Sequence, residues 1–175
     1  MKKVLFILLI ISALGCNKDE SNPVTDPLTM NLVTGINFRQ TTDDLPLKLG
    51  NPNILVNNKF LIYPNPAGQA LNFLAEGNVT NIWFVPANPE KIHQNVNFSN
   101  ILNTNIYSEQ SIISNSDLSS AQQSSNNIIV NIKTLEKGYY KVFVKIGGEI
   151  YWDNFYKHET DWDEEKLSEI TNFWD

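Results

Sequence analysis

Residues able to do chemistry are few in this chain, and they fall in two places. His158 is followed by Asp161, Asp163 and Glu164, an imidazole close to three carboxylates. Alternating acids suit a hard cation such as Ca²⁺, which takes oxygen ligands. The turn glycine of an EF-hand loop is missing, however, and the same acids serve equally to cap a helix and lie in its positively polarised first turn. The other histidine, His93, stands in an irregular stretch. Serines are plentiful, but no Gly-x-Ser-x-Gly elbow accompanies them, and neither common phosphate-cradling glycine pattern occurs. The residues therefore point to a non-catalytic protein that uses no cofactor and no metal. A small hydrolase built on His158 is the remaining catalytic alternative.

The single cysteine, Cys16, belongs to a different kind of chemistry. Lys2 and Lys3 precede an unbroken apolar run from Val4 to Ile11, and small residues lead into Cys16. A positive start, a short apolar centre and small residues before a cut are the layout of a signal peptide. The apolar centre is shorter than the roughly 20 residues that span a bilayer. Ala13-Leu14-Gly15-Cys16 resembles the lipobox of bacterial lipoproteins, with the leucine one position later than usual. That resemblance implies cleavage before Cys16 and lipid on its sulfur. Buried methylenes at about 0.8 kcal/mol each make two or three acyl chains a firm anchor. The next residues, Asn17-Lys18-Asp19-Glu20, resemble the lysine-plus-acidic export signal of Bacteroidota lipoproteins. Lys18, Asp19 and Glu20 thereby imply an outer-membrane location facing the cell exterior, with the periplasmic face as the alternative.

Loss of Lys2 and Lys3 with the signal takes the formal charge from −6 to −8. An acidic chain with Arg39 as its one arginine lacks the clustered basic footprint that nucleic acid requires. Residues 16–27 are polar and read as a lipidated tether, leaving 28–175 as one domain, large enough to bury a core without disulfides.

The elements within that domain are short apolar alternations broken by Asn, Gly, Pro and Asp, the pattern of a β-sandwich or barrel. Strands are predicted over Thr29–Asn37, Asn53–Val56, Lys59–Tyr63, Ala70–Ala75, Val79–Val85, Asn127–Thr134, Tyr139–Ile146 and Glu149–Lys157. Gly147-Gly148 fits a two-residue hairpin turn, which would set Val144 against Tyr151, Phe143 against Trp152 and Tyr140 against Phe155. One face of that hairpin then carries Tyr140, Val142, Val144, Tyr151 and Phe155. The other carries Tyr139, Phe143, Trp152 and Tyr156 among lysines. Leu167, Ile170, Phe173 and Trp174 recur at helical spacing and predict an amphipathic helix over 162–174, opened by a capping box at Asp161 and Glu164. Residues 86–126 read as an irregular insertion of one or two strands and long loops, with a short helix near Asp117–Gln123.

Lys59–Phe73 reads KFLIYPNPAGQALNF, and its Tyr63-Pro64-Asn65-Pro66 resembles the opening of the C-terminal sorting domains of type IX secretion cargo. Ile128, Val130, Ile132, Leu135 and the run from Gly138 to Lys145 resemble later strands of that domain, and Tyr151–Lys157 its closing strand. The resemblance covers about half of the mature chain and implies an immunoglobulin-like β-sandwich. The lipobox and the residues continuing to Asp175 depart from the family pattern, so the fold is carried over and the sorting role is not.

The function expected is a binding or scaffold module tethered at the outer membrane, with an outer-membrane protein complex or a glycan as partner. Tyr139, Phe143, Trp152 and Tyr156 are its candidate contacts, because aromatic rings supply rigid contact area for sugars or proteins. A carbohydrate-binding accessory of a glycan-uptake system is the first alternative. Against these stands the ordinary reading that the stripe is core, covered by the C-terminal helix or the insertion.

Overall fold

The computed structural model describes residues 25–159 and 163–175, without the side chains of 122–124. The predicted signal peptide, Cys16, Lys18, Asp19 and Glu20 lie outside the described residues. The elements are β1 (Leu32–Val33), β2 (Gly35–Phe38), β3 (Leu47–Gly50), β4 (Phe60–Tyr63), β5 (Ala70–Pro89), α1 (Glu109–Asn115), β6 (Leu118–Asn131), β7 (Gly138–Ile146), β8 (Glu149–Lys157) and α2 (Glu164–Trp174). The protein is mainly β, with a mixed sheet and a C-terminal helix.

The β7–β8 hairpin follows directly from its sequence. Gly147 and Gly148 take φ of +61° and +94°, which a tight hairpin turn demands and side chains resist. Val144 then pairs with Tyr151, Phe143 with Trp152 and Tyr140 with Phe155, as the alternation requires. β7 lies against β5, the spine of the sheet. The two strands expected over Ala70–Ala75 and Val79–Val85 are one element of 20 residues. Its register against β6 shifts between Leu74 and Val79 and again before Asn81. An irregularity of this kind bends a strand without ending it. The first half of β5 is thus free to pair with β4, and the second half with β7.

Other expectations need correction. Thr29–Asn37 is not one strand. β1 runs parallel to the end of β5, and the chain then breaks at Thr34 to enter a separate two-stranded sheet with β3, which the sequence does not announce. The break is held by side chains: the Thr34 amide donates to Asn53 Oδ1 at 3.2 Å and its hydroxyl to the Asn51 carbonyl at 2.6 Å. Asn53–Val56 is not a strand either, since only Leu55 forms a bridge, to Trp152.

The insertion spans 90–117 rather than 86–126, because β5 and β6 both run further into it. Its helix is α1 at Glu109–Asn115, capped by Ser108, whose hydroxyl accepts from the Ser111 amide at 3.2 Å. The segment expected to be helical near Asp117–Gln123 instead forms the start of β6, paired with Asn81–Phe84. Pairing to an already formed strand outweighs the weak local preference of Ser and Gln. At the C-terminus α2 begins at Glu164 behind Asp163, which accepts from the Lys166 amide at 3.0 Å. Asp163 is therefore the cap, two residues after the one expected; Asp161 and Trp162 lie outside the described residues.

Apolar side chains cover both faces of the sheet. On one, Phe84 meets Phe73 and Phe155 edge to face, each with ring centroids 6.2 Å apart. On the other, Phe143 and Trp152 lie beneath Tyr107 of the insertion, at 5.5 and 5.1 Å. A second, smaller core gathers Val33, Ile36 and Leu49 around Ile170 and Trp174 of α2. Gly50 makes room for that helix: a Cβ there would stand 2.6 Å from Trp174 Cε3, and its φ is +68°.

Asparagine side chains tie these parts together. Asn65 is fully buried; its Nδ2 donates to the carbonyls of Asn37 (2.9 Å) and Asn154 (2.8 Å), and its Oδ1 accepts from the Tyr156 amide (3.2 Å). One side chain thus does what a ladder of backbone bonds does elsewhere, joining β2 to β8. Buried amides of this kind have every reason to be fully bonded, since an orphaned one costs about 1–3 kcal/mol.

Candidate functional site

A cleft of about 500 Å³ opens where the free edge of β4 faces the end of β2 and the inner surface of β8. That volume lies within the range of small-ligand sites. Residues Phe60–Ile62 of β4 form one wall and Leu74–Glu76 of β5 continue it; Val56 and Asn58 stand at one end. Asn57 and Asn58 both have positive φ (45° and 57°), and the Lys59 amide closes the turn on the Val56 carbonyl at 2.7 Å. Asparagine tolerates this conformation better than other side chains, which explains two of them in the turn leading into β4.

Asn37, Arg39 and Asp153 form the opposite wall and floor. Asp153 is the unusual member. It pairs with Val142 across the hairpin and shares the inward parity of Tyr151 and Phe155, so a carboxyl occupies a place that the pattern reserves for an apolar side chain. It is only 6 % exposed. Burial pushes its pKa up to about 7, against smaller opposing effects from the Asn154 amide and from Arg39. The Asn154 amide donates to Oδ1 at 2.7 Å. Arg39 is held by its backbone, which exchanges bonds of 2.9 and 2.7 Å with Asn65, while its side chain forms no ion pair among the described residues. At the rim, Lys59 and Glu76 pair at 3.0 Å, both well exposed. A pair so exposed contributes little to stability.

These groups can recognise a ligand. Arg39 offers a planar, permanently charged fork suited to a carboxylate. Asp153 changes between hydrogen-bond donor and acceptor near neutrality, and β4 offers main-chain polar groups. No Ser, His or Cys lines the cleft among the described residues.

The sequence-predicted contacts are elsewhere. Phe143 and Trp152 are 0 % and 1 % exposed, and the Trp152 indole donates to the Asn53 carbonyl at 2.9 Å. They are core, roofed by the insertion. Tyr139 and Tyr156 lie side by side, centroids 4.8 Å apart and partly exposed, against α2. The Trp174 indole donates to the Tyr139 hydroxyl at 3.1 Å. The aromatic stripe is thus divided between two covers and presents no continuous platform. His158 packs beside Gly68 and hydrogen-bonds the Glu159 carbonyl, and burial lowers its pKa. His93 hydrogen-bonds the Thr25 carbonyl at 2.8 Å. The two histidines are not brought together with the cleft, and no group of three metal-ligating residues forms among the described residues.

Beneath the insertion lies a second polar feature. Lys141 is fully buried, and its Nζ, the Tyr107 hydroxyl and Asn154 Oδ1 are the buried side-chain atoms with no hydrogen-bond partner among the described residues. Burial lowers the Lys141 pKa to about 7 and raises that of Tyr107.

Neither Asp153 nor Lys141 is singled out by sequence reasoning; Asp153 carries a legible signal, a charge on the apolar face between Tyr151 and Phe155, whereas Lys141 stands on the face that aromatics and lysines share and carries none. No helix of the described residues is long and apolar enough to cross a membrane. No family model, no curated protein and no solved structure matches this chain.

Proposed function

We propose that this chain is a membrane-tethered binding module with an immunoglobulin-like sandwich architecture, lipidated at Cys16 and displayed at the outer membrane. Its partner seats in the cleft beside β4. The observation that carries this reading is the presence, in one cleft, of a buried carboxyl at Asp153 and an arginine with no ion-pair partner among the described residues. Burying Asp153 costs folding free energy, and a side chain kept at such a cost beside an open cleft is expected to serve recognition. Of the aromatic stripe on which the glycan-accessory reading depends, Trp152 and Phe143 are covered and Tyr139 and Tyr156 stay partly exposed.

A photo-crosslinking amino acid at Asn58, exposed at the cleft mouth, tests this on intact cells. The expected result is one reproducible adduct that disappears when Arg39→Gln is added and is absent when the probe is moved to exposed Lys133. Equal adducts from both probe positions would sink the reading.

A further inference from the structure

Among the described residues β4 is paired on one side only, with β5. The Glu76 amide bonds the Lys59 carbonyl at 2.8 Å, which fixes the alternation: Leu61 and Tyr63 turn their main-chain groups to β5, and Phe60 and Ile62 turn theirs away. Phe60 and Ile62 line the cleft and are otherwise largely buried, so an added strand reaches these groups only from within it. An unpaired strand edge with its N–H and C=O groups open is a template for an added strand.

The cleft is closed at one end. Past Tyr63 the chain meets β2, where Asn65 and Arg39 exchange two backbone bonds. Pro64, between Tyr63 and Asn65, has no N–H to offer, so a ladder along β4 stops there. A strand entering from the Asn58 end therefore has to terminate beside Arg39. A chain running that way, parallel to β4, arrives with its C-terminal carboxylate at a guanidinium that has no ion pair of its own among the described residues.

We propose that the cleft binds the C-terminal end of an extended peptide, added to β4 as a parallel strand and terminated by Arg39. One peptide residue, opposite Leu61, donates to the Phe60 carbonyl and accepts from the Ile62 amide. Charge complementarity selects the end group: Arg39 takes the terminal carboxylate in a forked contact, and Asp153 on the floor offers a second polar contact. This rests on the cleft being the binding surface, and it adds what the partner must present.

The experiment uses the full chain, immobilised, and two pools of randomised hexapeptides identical except that one ends in a free carboxylate and the other in an amide. Retention is read by mass spectrometry, and affinities of the retained sequences by fluorescence polarisation. The free-acid pool is expected to be retained, the matching amides to bind at least tenfold more weakly, and N-methylation of one backbone position near the C-terminus to abolish binding. Arg39→Gln should remove the difference between acid and amide, while circular dichroism shows the variant folded. Equal binding of acid and amide, survival of the preference in Arg39→Gln, or retention of neither pool would overturn the proposal. If the Asn58 crosslink on cells persists while neither pool is retained, the cleft remains a binding surface and the peptide-end assignment alone falls.

Discussion

The ammonium nitrogen of Lys141 lies 5.5 Å from the centroid of the Tyr107 ring, beneath the insertion and with no ion-pair partner among the described residues. Tyr107 in turn packs on Phe143 and Trp152, so one aromatic ring covers both the core pair and the buried lysine. A cation over a ring face is attracted by it, but that attraction replaces neither hydration nor a counter-ion. Replacing Lys141 by Met keeps the length of the side chain and removes the burden. Lys141→Met is expected to stabilise the fold by about 1–3 kcal/mol at neutral pH, the usual cost of an unsatisfied buried polar group. Urea unfolding at constant m checks this; a destabilised variant would contradict it.

The two buried charges give an unusual dependence of stability on pH. Lys141 has a folded pKa of about 7 against 10.5. Between those values the unfolded chain holds a proton that the folded one lacks, so stability rises with pH from about 7 to 10.5. Asp153 has a folded pKa of about 7 against 3.8, so between them the folded chain holds the extra proton and stability falls as pH rises. Together they place a minimum near pH 7, with each limb no steeper than about 1.4 kcal/mol per pH unit. Asp153→Asn should flatten the acid limb alone and Lys141→Met the alkaline limb alone. A wild-type profile whose limbs neither substitution alters would refute the assignment.

Trp152 is a structural residue in this arrangement. Trp152→Ala should cost about 3–5 kcal/mol, as large-to-small changes in packed cores do, and the Asn53 carbonyl would also lose its donor. Any loss of glycan retention in affinity gels should then track unfolding, seen by near-ultraviolet circular dichroism. A folded Trp152→Ala protein with a specific retention defect would restore the aromatic stripe as a contact surface.

Gly50 tests the docking of α2. A methyl group there meets Trp174 Cε3 at 2.6 Å and the Thr34 carbonyl at 2.7 Å, on a backbone with positive φ. Gly50→Ala should destabilise by about 1 kcal/mol or more and speed amide exchange in Ile170–Trp174 ahead of the β7–β8 hairpin. Uniform acceleration across both would show that helix and sheet unfold as one unit.

Cys16→Ala should leave the protein unprocessed or released from the membrane, with radiolabelled palmitate no longer entering it. Label at the wild-type level in the variant would refute lipidation.

The hairpin was legible to the residue because two signals coincide there: period-two alternation on both sides and Gly147-Gly148 between them. β5 was legible as strand and not as one strand, since Glu76-Gly77-Asn78 reads as a turn when no partner strands are in view. The insertion was the hardest part. Ser119 and Ser120 form strand because Trp83 and Ile82 wait opposite them, a relationship with no local trace. The candidate site was hidden for the same reason. Asn37, Phe60 and Asp153 are distant in sequence, and only the crossing of β2 near β8 makes them neighbours.

Asn65 carries one further consequence, which concerns time. Its side chain needs carbonyls from Asn37 and Asn154 at once, so residues from three remote stretches must be present together before it is satisfied. β8, which supplies the last of them, also closes on Leu55 and Ala67. A nascent chain threaded outward from its N-terminus therefore stays short of its final structure until the last strand emerges. On the export route proposed above, such a chain would reach a membrane pore before this lock can close.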